Sequence, residues 1–253
     1  MGAITSRLAW LERTAGWAVG VPFAVWRYAA REVEVDRRLE RHPWPIPGFP
    51  LEARAGRDVQ GPGDGRGAAY LRRYRARVAD PILTPEELMG VIANDPDVAC
   101  PVEFARFERT GGEPGDLRPG DEFRVRLPGP WNGPVRVIEV DERSFRLATL
   151  RGHMEAGEIV FRASDEDGRL IFEIASWARS GDPLFALLYD HIPVNREIQQ
   201  HMWVQFLLRV AQISGGRIEP PVEVHALRSD DHPFSRRRLG PARREKVART
   251  RPG

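Results

Sequence analysis

A histidine and two glutamates are the residues of this chain best suited to acid–base chemistry. His153 and Glu155 lie two positions apart, and Glu173 follows in a later segment. An imidazole close to a carboxylate can take up a proton and return it, which is the basis of general acid–base catalysis. These three residues are therefore the candidate catalytic groups. The alternative is structural, since a histidine in a turn can instead hold the backbone by hydrogen bonding.

Other reactive residues are poorly placed for catalysis. Tyr189, Asp190 and His191 are consecutive, so on a helix their side chains would point in three directions. Cys100 has no histidine near it in sequence, and we expect an inert, half-buried thiol. The chain also lacks the sequence motifs of α/β-hydrolases, P-loop enzymes, dinucleotide-binding domains and zinc proteases. We expect neither a metal site nor a cofactor.

The composition is that of an ordinary globular protein. The chain has 253 residues, of which 42% are hydrophobic and 29% are charged, and its formal net charge is only +2. A charge so near zero gives no reason to expect nucleic acid as the primary partner. A single cysteine cannot form an intramolecular disulfide, which favours a cytoplasmic location.

Turn signals divide the middle of the chain into short strands. Alternating side chains predict a strand over 68–79, and Thr84 followed by Pro85 and two glutamates predicts the start of a short helix. Six further strands are predicted at 102–109, 121–127, 134–140, 144–150, 157–163 and 169–177. Because the connections between them are short, neighbouring strands should pair antiparallel.

Two more helices are predicted outside this region. Asp182 begins a long helix that should end near Gly215, with a kink or a break at Pro193. Residues 4–30 carry an apolar stripe rich in tryptophan, which predicts an amphipathic helix. Such a helix would pack on its own domain, on a partner protein or on a membrane surface.

These segments divide the chain into four regions. We predict an N-terminal amphipathic helix within 1–41, a linker rich in proline and glycine over 42–67, and a folded domain over 68–216. Residues 217–253 are predicted to be a basic, disordered tail. The last 29 residues contain nine basic and three acidic side chains with almost no apolar periodicity.

The order of the predicted elements resembles the helix-grip architecture of the START/SRPBCC superfamily. In that architecture a curved antiparallel sheet wraps around a C-terminal helix and leaves a cavity between them. Residues 149–158 read TLRGHMEAGE and resemble the T-L-x-G-H-x-E-x-G-E stretch of an uncharacterised family of that superfamily. The resemblance implies an α+β fold with about seven strands around the long helix, to which the N-terminal helix is an addition.

The same resemblance implies a ligand cavity between the sheet and the long helix, and the surplus of aromatic residues could line it. The candidate lining residues are Tyr74, Phe104, Phe123, Arg126, Phe145, Thr149, Phe161, Phe172, Trp177, Trp203, Gln205 and Phe206. Gly152 and Gly157 are assigned to a structural turn, because glycine tolerates the positive φ that a turn needs.

Three functions fit these expectations. The first is binding or transfer of an apolar small molecule, lipid-like or polyketide-like, in the cavity. The second is a cyclase or dehydratase-type enzyme on the same scaffold, using the candidate catalytic groups. The third is an interaction module that docks through the tryptophan-rich N-terminal helix. An open apolar cavity would favour the first two functions, and a core filled by side chains would favour the third.

Overall fold

Nine strands and two α-helices form the part of the chain that the structure, a computed structural model, describes: residues 33–39, 58–127, 132–181 and 193–229. The strands are β1 (Val35–Leu39), β2 (Arg66–Ala79), β3 (Arg106–Gly111), β4 (Glu122–Arg126), β5 (Asn132–Asp141), β6 (Ser144–Thr149), β7 (Glu155–Glu166), β8 (Arg169–Ser180) and β9 (Arg217–Ser229). The helices are α1 (Pro85–Asn94) and α2 (Pro193–Ile213), and a 3-10 turn covers Pro96–Val98.

All of these strands belong to one sheet, in the order β1-β9-β2-β8-β7-β6-β5-β4-β3. From β3 to β8, each strand pairs antiparallel with the next in sequence, which confirms the predicted meander. β2 pairs antiparallel with both β8 and β9. Among the described pairings only that of β1 with β9 is parallel. The sheet therefore has nine strands where about seven were predicted.

The first strand of the meander starts later than predicted. Residues 102–105 were assigned to it, but they lie in a turn that the N–H of Phe104 closes by donating to the carbonyl of Pro101 at 2.8 Å. The strand itself begins at Arg106.

The predicted tail is wrong over residues 217–229, which form β9. Val222 and Val224 are buried against the core, and their neighbour Glu223 pairs with Arg75 of β2 at 3.4 Å. Two prolines, Pro220 and Pro221, lack the N–H that a ladder needs, and the register between β2 and β9 shifts there. Residues 230–253 lie outside the described residues.

The predicted N-terminal helix and linker also need correction at their ends. Val35–Leu39, which was included in the helical region, is a strand that pairs with β9, because Val35 has Val222 as its buried partner. Residues 58–65, assigned to the linker, lie against the sheet, and Val59 forms a bridge with Leu150. The stripe over 4–30 lies outside the described residues.

The sheet has an inner face, on which α2 packs, and an outer face. Tyr74 of β2 points inward, since its ring centroid lies 6.5 Å from that of Trp203 on α2. Side chains alternate along a strand, so Tyr70 and Arg72 share this inner face, whereas Arg73 points outward. The backbone of α2 runs closest to β2, β8 and β9.

The short helix α1 begins as predicted. The Thr84 hydroxyl accepts a hydrogen bond from the N–H of Glu87, and the Glu87 carboxylate accepts one from the N–H of Thr84. Leu88, Met89 and Ile92 are buried on the same core as α2. This helix therefore covers a further part of the inner face.

The long helix α2 is described from Pro193 onward. Residues 182–192, which include its predicted start at Asp182 and lead up to the kink or break predicted at Pro193, lie outside the described residues. Its predicted end is confirmed: the helix stops at Ile213, and Gly215 takes a φ of +75°, the conformation that ends many helices.

Candidate functional site

A cluster of aromatic rings fills the middle of the space between the sheet and α2. Its members are Tyr74, Phe145, Phe161, Phe172, Trp203 and Phe206, all at least 93% buried. Phe161 is central, with its ring centroid 4.8 Å from Phe145, 5.7 Å from Trp203 and 5.6 Å from Phe206. We call these six residues the ring cluster. Their rings contact one another, so they form a packed core at this level, which is the outcome expected above for the interaction module and not for an open cavity.

Two further candidate lining residues lie on the same core but apart from the ring cluster. Phe104 lies 5.5 Å from the imidazole of His201 on α2, and Phe123 of β4 lies 6.3 Å from Phe107 of β3. Gln205 is half-buried on α2. Apart from Trp177, the predicted aromatic lining thus faces inward, in two groups.

Three residues predicted at the site lie elsewhere. Arg126 is exposed and pairs with Glu108 across the β3–β4 pair, at 2.8 Å. Glu173 points to the outer face, where Arg73 lies 3.8 Å away. Trp177 also points outward, because inward residues on β8 have even numbers. Glu173 therefore lies on the other face of the sheet from Glu155. Arg126 and Trp177 do not line the space between the sheet and α2.

Trp177 belongs to a separate apolar cluster on the outer face of the sheet. The cluster consists of Ala69, Leu71, Val160, Ala175, Trp177 and Leu227, and we call it the outer patch. Leu71 is 1% exposed and Trp177 is 2% exposed. Within the described residues the indole N–H of Trp177 has no hydrogen-bond acceptor.

Thr149 uses its hydroxyl to tie three segments together. The hydroxyl accepts a hydrogen bond from the N–H of Gly157 at 3.0 Å and donates one to the carbonyl of Gln60 at 2.8 Å. The Gln60 side chain in turn donates to the carbonyls of His153 and Glu155. These hydrogen bonds attach the segment around Gln60 to the turn between β6 and β7.

His153 lies in this turn with its imidazole directed at the backbone. Its Nδ1 accepts a hydrogen bond from the N–H of Glu155 at 2.9 Å, so the neutral ring carries its proton on Nε2. A Cβ on Gly133 of β5 would lie 2.8 Å from that Nε2, which shows how closely the ring approaches the strand. Burial lowers the pKa of His153, and the nearby carboxylate of Glu155 opposes that shift.

The two candidate turn glycines are needed for different reasons. Gly152 has a φ of +92°, as predicted, and open space around it. Gly157 is in β7 and its φ is not in the positive region. A Cβ there would lie 2.1 Å from the carbonyl oxygen of Trp177, so this glycine permits close approach of β8. The prediction of a positive φ at Gly157 is wrong.

A buried cation on the inner face was not among the predicted site residues. Arg72 has a side chain only 9% exposed, and its Nη1 lies 4.0 Å from a carboxylate oxygen of Glu155. Its guanidinium carbon lies 5.0 Å from the centre of the Tyr70 ring. The inward direction of Arg72 could have been predicted, because the alternation that places Tyr74 on the inner face places Arg72 there too. Arginines occur on both faces of β2, so the inner one did not stand out in the sequence.

Arg72 marks the end of the inner face that lies away from α1. Its neighbour on β8 is Ser176, and the neighbour of Ser176 on β7 is Ile159. Tyr70, Glu155, Ile159 and Ser176 are all only half-buried. We call these four residues and Arg72 the mouth residues.

The remaining reactive residues stay outside this arrangement. Cys100 is fully buried rather than half-buried, and burial raises the pKa of its thiol to about 12. Tyr189, Asp190 and His191 lie outside the described residues. Among the residues that the structure does describe, no group of three His, Cys, Asp or Glu side chains could hold a metal ion. In the same part of the chain, no helix combines the length and apolarity needed to cross a bilayer.

The comparisons with known proteins identify one family match. Residues 105–209 match a family described as a domain of unknown function, DUF1990. The match runs from the start of β3 into α2 and includes His153. The predicted resemblance to an uncharacterised family is confirmed to that extent, and the T-L-x-G-H-x-E-x-G-E stretch as its signature stays a prediction. No curated protein matches the chain.

Several solved structures are similar over part of this chain. A protein from Thermobifida fusca is 15% identical, with 57% of this chain and 93% of that chain covered and a TM-score of 0.41. Norcoclaurine synthase from Thalictrum flavum, solved in complex with dopamine and hydroxybenzaldehyde, is 11% identical, with 68% and 95% covered and a TM-score of 0.41. Ara h 8.0201 is 11% identical, with 57% and 97% covered and a TM-score of 0.38.

Proposed function

We propose that this protein binds an apolar small molecule between the inner face of its sheet and α2. The observation that carries the proposal is that the side chains of the inner face change from fully buried to half-buried along its length. The ring cluster is packed in the middle, with Phe172 and Phe206 fully buried. At the mouth, the apolar side chain of Ile159 is only half-buried beside Ser176. A ligand would bury this surface, which water otherwise meets.

The mouth also has the composition of a binding site. Small-molecule sites are mostly apolar and carry a few polar groups that fix orientation. Here the rings of Tyr74 and Trp203 supply the apolar depth, while Tyr70, Arg72 and Ser176 supply polar groups at the rim. Binding and release need no covalent chemistry, so the same site would serve storage or transfer of the ligand.

The acid–base alternative receives less support. The imidazole of His153 is hydrogen-bonded to backbone, and Glu173 points to the other side of the sheet. The carboxylate of Glu155 has Arg72 as its neighbour. A lowered pKa keeps the histidine neutral near pH 7, and the only hydrogen bond described for its imidazole is the one that Nδ1 accepts from the backbone.

The proposal can be tested with N-phenyl-1-naphthylamine, a neutral probe that fluoresces in apolar surroundings. We expect the full chain to bind the probe at one saturable site. Ser176→Trp places a large side chain in the mouth and should weaken probe binding at least about tenfold, as loss of the site's contacts implies.

Arg162→Trp is the matched control, because Arg162 is exposed on the outer face two strands from β2. It should leave the affinity for the probe unchanged. Absence of saturable binding to the unaltered chain would overturn the proposal. So would equal binding by the two tryptophan variants, since the probe would then lie elsewhere.

A further inference from the structure

The outer patch is almost fully buried, although neither described helix packs on that face of the sheet. Leu71 is 1% exposed and Trp177 is 2% exposed. The buried apolar residues of α1 and α2 belong to the core on the inner face, and the outer patch consists of strand residues. Neighbouring side chains on a sheet cover one another only from the side, so burial this complete requires a second layer. The outer face therefore needs a cover other than the two described helices.

The outer patch contains a straight row of three large side chains. Leu227, Leu71 and Trp177 are in register across β9, β2 and β8. β1 ends beside this row, because its last residue, Leu39, pairs with the residue before Leu227 on β9. Residues 40–57, which follow β1, therefore start at one end of the row.

The same segment finishes at the other end of the row. Trp177 is in register with Glu158 of β7, and Glu158 with Ala148 of β6. Val59 forms its bridge with Leu150, two residues after Ala148. The chain thus passes from β1 to β6 across β9, β2, β8 and β7. This distance is about 24 Å at about 4.8 Å per strand spacing, and an extended chain of that length reaches more than twice as far.

Two other routes between these ends are occupied by described residues. α2 covers the inner face of β2, β8 and β9. Residues 58–65 cover the strand ends: the Gln60 side chain donates to two carbonyls beside the start of β7, and a Cβ on Gly65 would lie 2.6 Å from the Cβ of Arg179. The outer face is the route that these contacts leave open.

The sequence of residues 40–57 suits an apolar surface. It has four large apolar side chains, each next to a proline: Trp44, Ile46, Phe49 and Leu51. Proline favours the extended polyproline II form, whose carbonyls have no internal hydrogen bonds, and segments of this form bind to surfaces lined by aromatic side chains. The indole N–H of Trp177 has no acceptor within the described residues, whereas buried N–H groups normally have one.

We propose that residues 43–51, which read PWPIPGFPL, lie extended across the row on the outer patch, and that one of their carbonyls accepts the indole N–H of Trp177. The outer face is then a binding surface for a proline-rich segment, and its occupant is part of the same chain. One extended segment covers one row. The next row, with Ala175 and Val160, stays available to the apolar stripe predicted over 4–30. This inference is independent of the proposed function, which concerns the inner face.

The first test uses nuclear magnetic resonance of the unaltered full chain. The indole N–H signal of Trp177 is assigned by its loss in Trp177→Phe. We expect nuclear Overhauser contacts from this indole to side chains of residues 43–51, and slow exchange of its N–H with solvent. Contacts to residues 4–30 in place of 43–51 would overturn the proposal and assign the row to the N-terminal stripe.

The second test removes the apolar side chains of the segment. The double variant Ile46→Ser with Phe49→Ser should speed exchange of the Trp177 indole N–H at least about tenfold, because the segment then opens more often. Leu8→Ser with Leu11→Ser is the matched control in the N-terminal stripe. It should leave that exchange rate unchanged, since the stripe does not cover the row.

Each other result contradicts the proposal. Faster exchange in the control variant alone would make the N-terminal stripe the occupant of the row. Unchanged exchange in both variants would show that a different segment or a second copy of the chain covers it. If the Ile46 and Phe49 variant does not fold, the Overhauser contacts of the unaltered chain decide. Ligand binding on the inner face is not measured in either test, so the proposed function stands or falls separately.

Discussion

His153 closes the turn between β6 and β7 through one backbone hydrogen bond and close packing. Its Nδ1 accepts the N–H of Glu155, and its ring approaches Gly133 of β5. The hydrogen bond is local to the turn, the approach to Gly133 places the ring against β5, and neither contact involves the guanidinium of Arg72. The structural role that the sequence offered as an alternative is therefore the one we test.

His153→Ala should lower the free energy of unfolding by about 1 kcal/mol, the net worth of one hydrogen bond. His153→Asn keeps an acceptor near the position of Nδ1 and should recover part of that loss. Both variants should bind N-phenyl-1-naphthylamine like the unaltered chain. Urea denaturation and probe titration measure the two quantities. A stable His153→Ala protein that no longer binds the probe would contradict the structural role.

The lowered pKa of His153 predicts a pH dependence of stability. The folded chain takes up the proton less readily than the unfolded chain, whose histidine has a pKa near 6.5. As the pH falls below about 6.5, the unfolded state binds more protons and the stability drops; above that range the contribution is constant. His153→Asn should lack this component. Identical pH dependence of the two proteins between pH 7.5 and 5 would exclude it.

Side-chain direction was predictable from sequence wherever alternation was regular. Along β2 the alternation places Arg72 on the same face as Tyr74. Along β8 it places Trp177 and Phe172 on different faces of the sheet. Choosing residues by type instead of by face led to the inclusion of Trp177 and the omission of Arg72. The hydrogen bond between Thr149 and Gln60 could not be predicted, because no local sequence pattern indicates a contact between residues 89 positions apart.

At the scale of elements, β6, β7 and β8 depend on two glycines in different ways. Gly152 supplies a positive φ in the turn, and Gly157 lets the backbone of β8 come close to β7. A side chain at the first position strains one residue, while a side chain at the second pushes two strands apart.

Gly152→Ala should therefore destabilise the fold by about 1 kcal/mol, the cost of a left-handed conformation for a residue with a Cβ. Gly157→Ala should cost about 3 kcal/mol or more, since its Cβ would meet the Trp177 carbonyl and shift the β7–β8 pairing. Thermal and urea unfolding of both variants give the comparison. Equal losses would mean that β8 adjusts freely to the extra carbon.

The strand that sequence reasoning missed, β9, shows why charged segments mislead. Glu219 and Glu223 reduce its apolar character, but each has an arginine partner on another strand: Arg169 for Glu219 and Arg75 for Glu223. Those partners lie far away in sequence, so the composition of 217–229 alone indicates a polar tail. The meander was easier to predict, because its pairings are made between neighbours joined by short turns.

At the scale of the whole molecule, β9 separates a necessary part of the chain from a dispensable one. A protein that ends at Ser229 should have a thermal midpoint within about 2 °C of the full chain, because residues 230–253 carry little apolar surface to bury. A protein that ends at Gly216 loses the buried Val222 and Val224 and should not fold. Calorimetry of both tests this division. A large loss in the first protein would show that the remaining tail is docked.

The outer patch predicts the effect of removing residues 1–32. Leu71 and Trp177 are almost fully buried although they point away from α2, and the apolar stripe predicted over 4–30 needs a surface to cover. A chain that starts at Val33 keeps β1 and should aggregate or lose stability. Light scattering and thermal unfolding against the full chain provide the check. An unchanged, soluble product would instead favour a partner protein or a membrane surface as the target of that stripe.

The order of strands in the sheet has a consequence for synthesis on the ribosome. β2 is synthesised early, but its two neighbours in the sheet, β8 and β9, are synthesised late. β1 likewise cannot pair before β9 has been made. Pairings between distant segments form slowly, because a long loop must close first. Until residues 217–229 have been made, one edge of the 14-residue strand β2 stays open. If synthesis stalls between residues 181 and 216, the nascent chain therefore exposes the unpaired edge of β2. Unpaired strand edges are sites at which chains associate with the wrong partner.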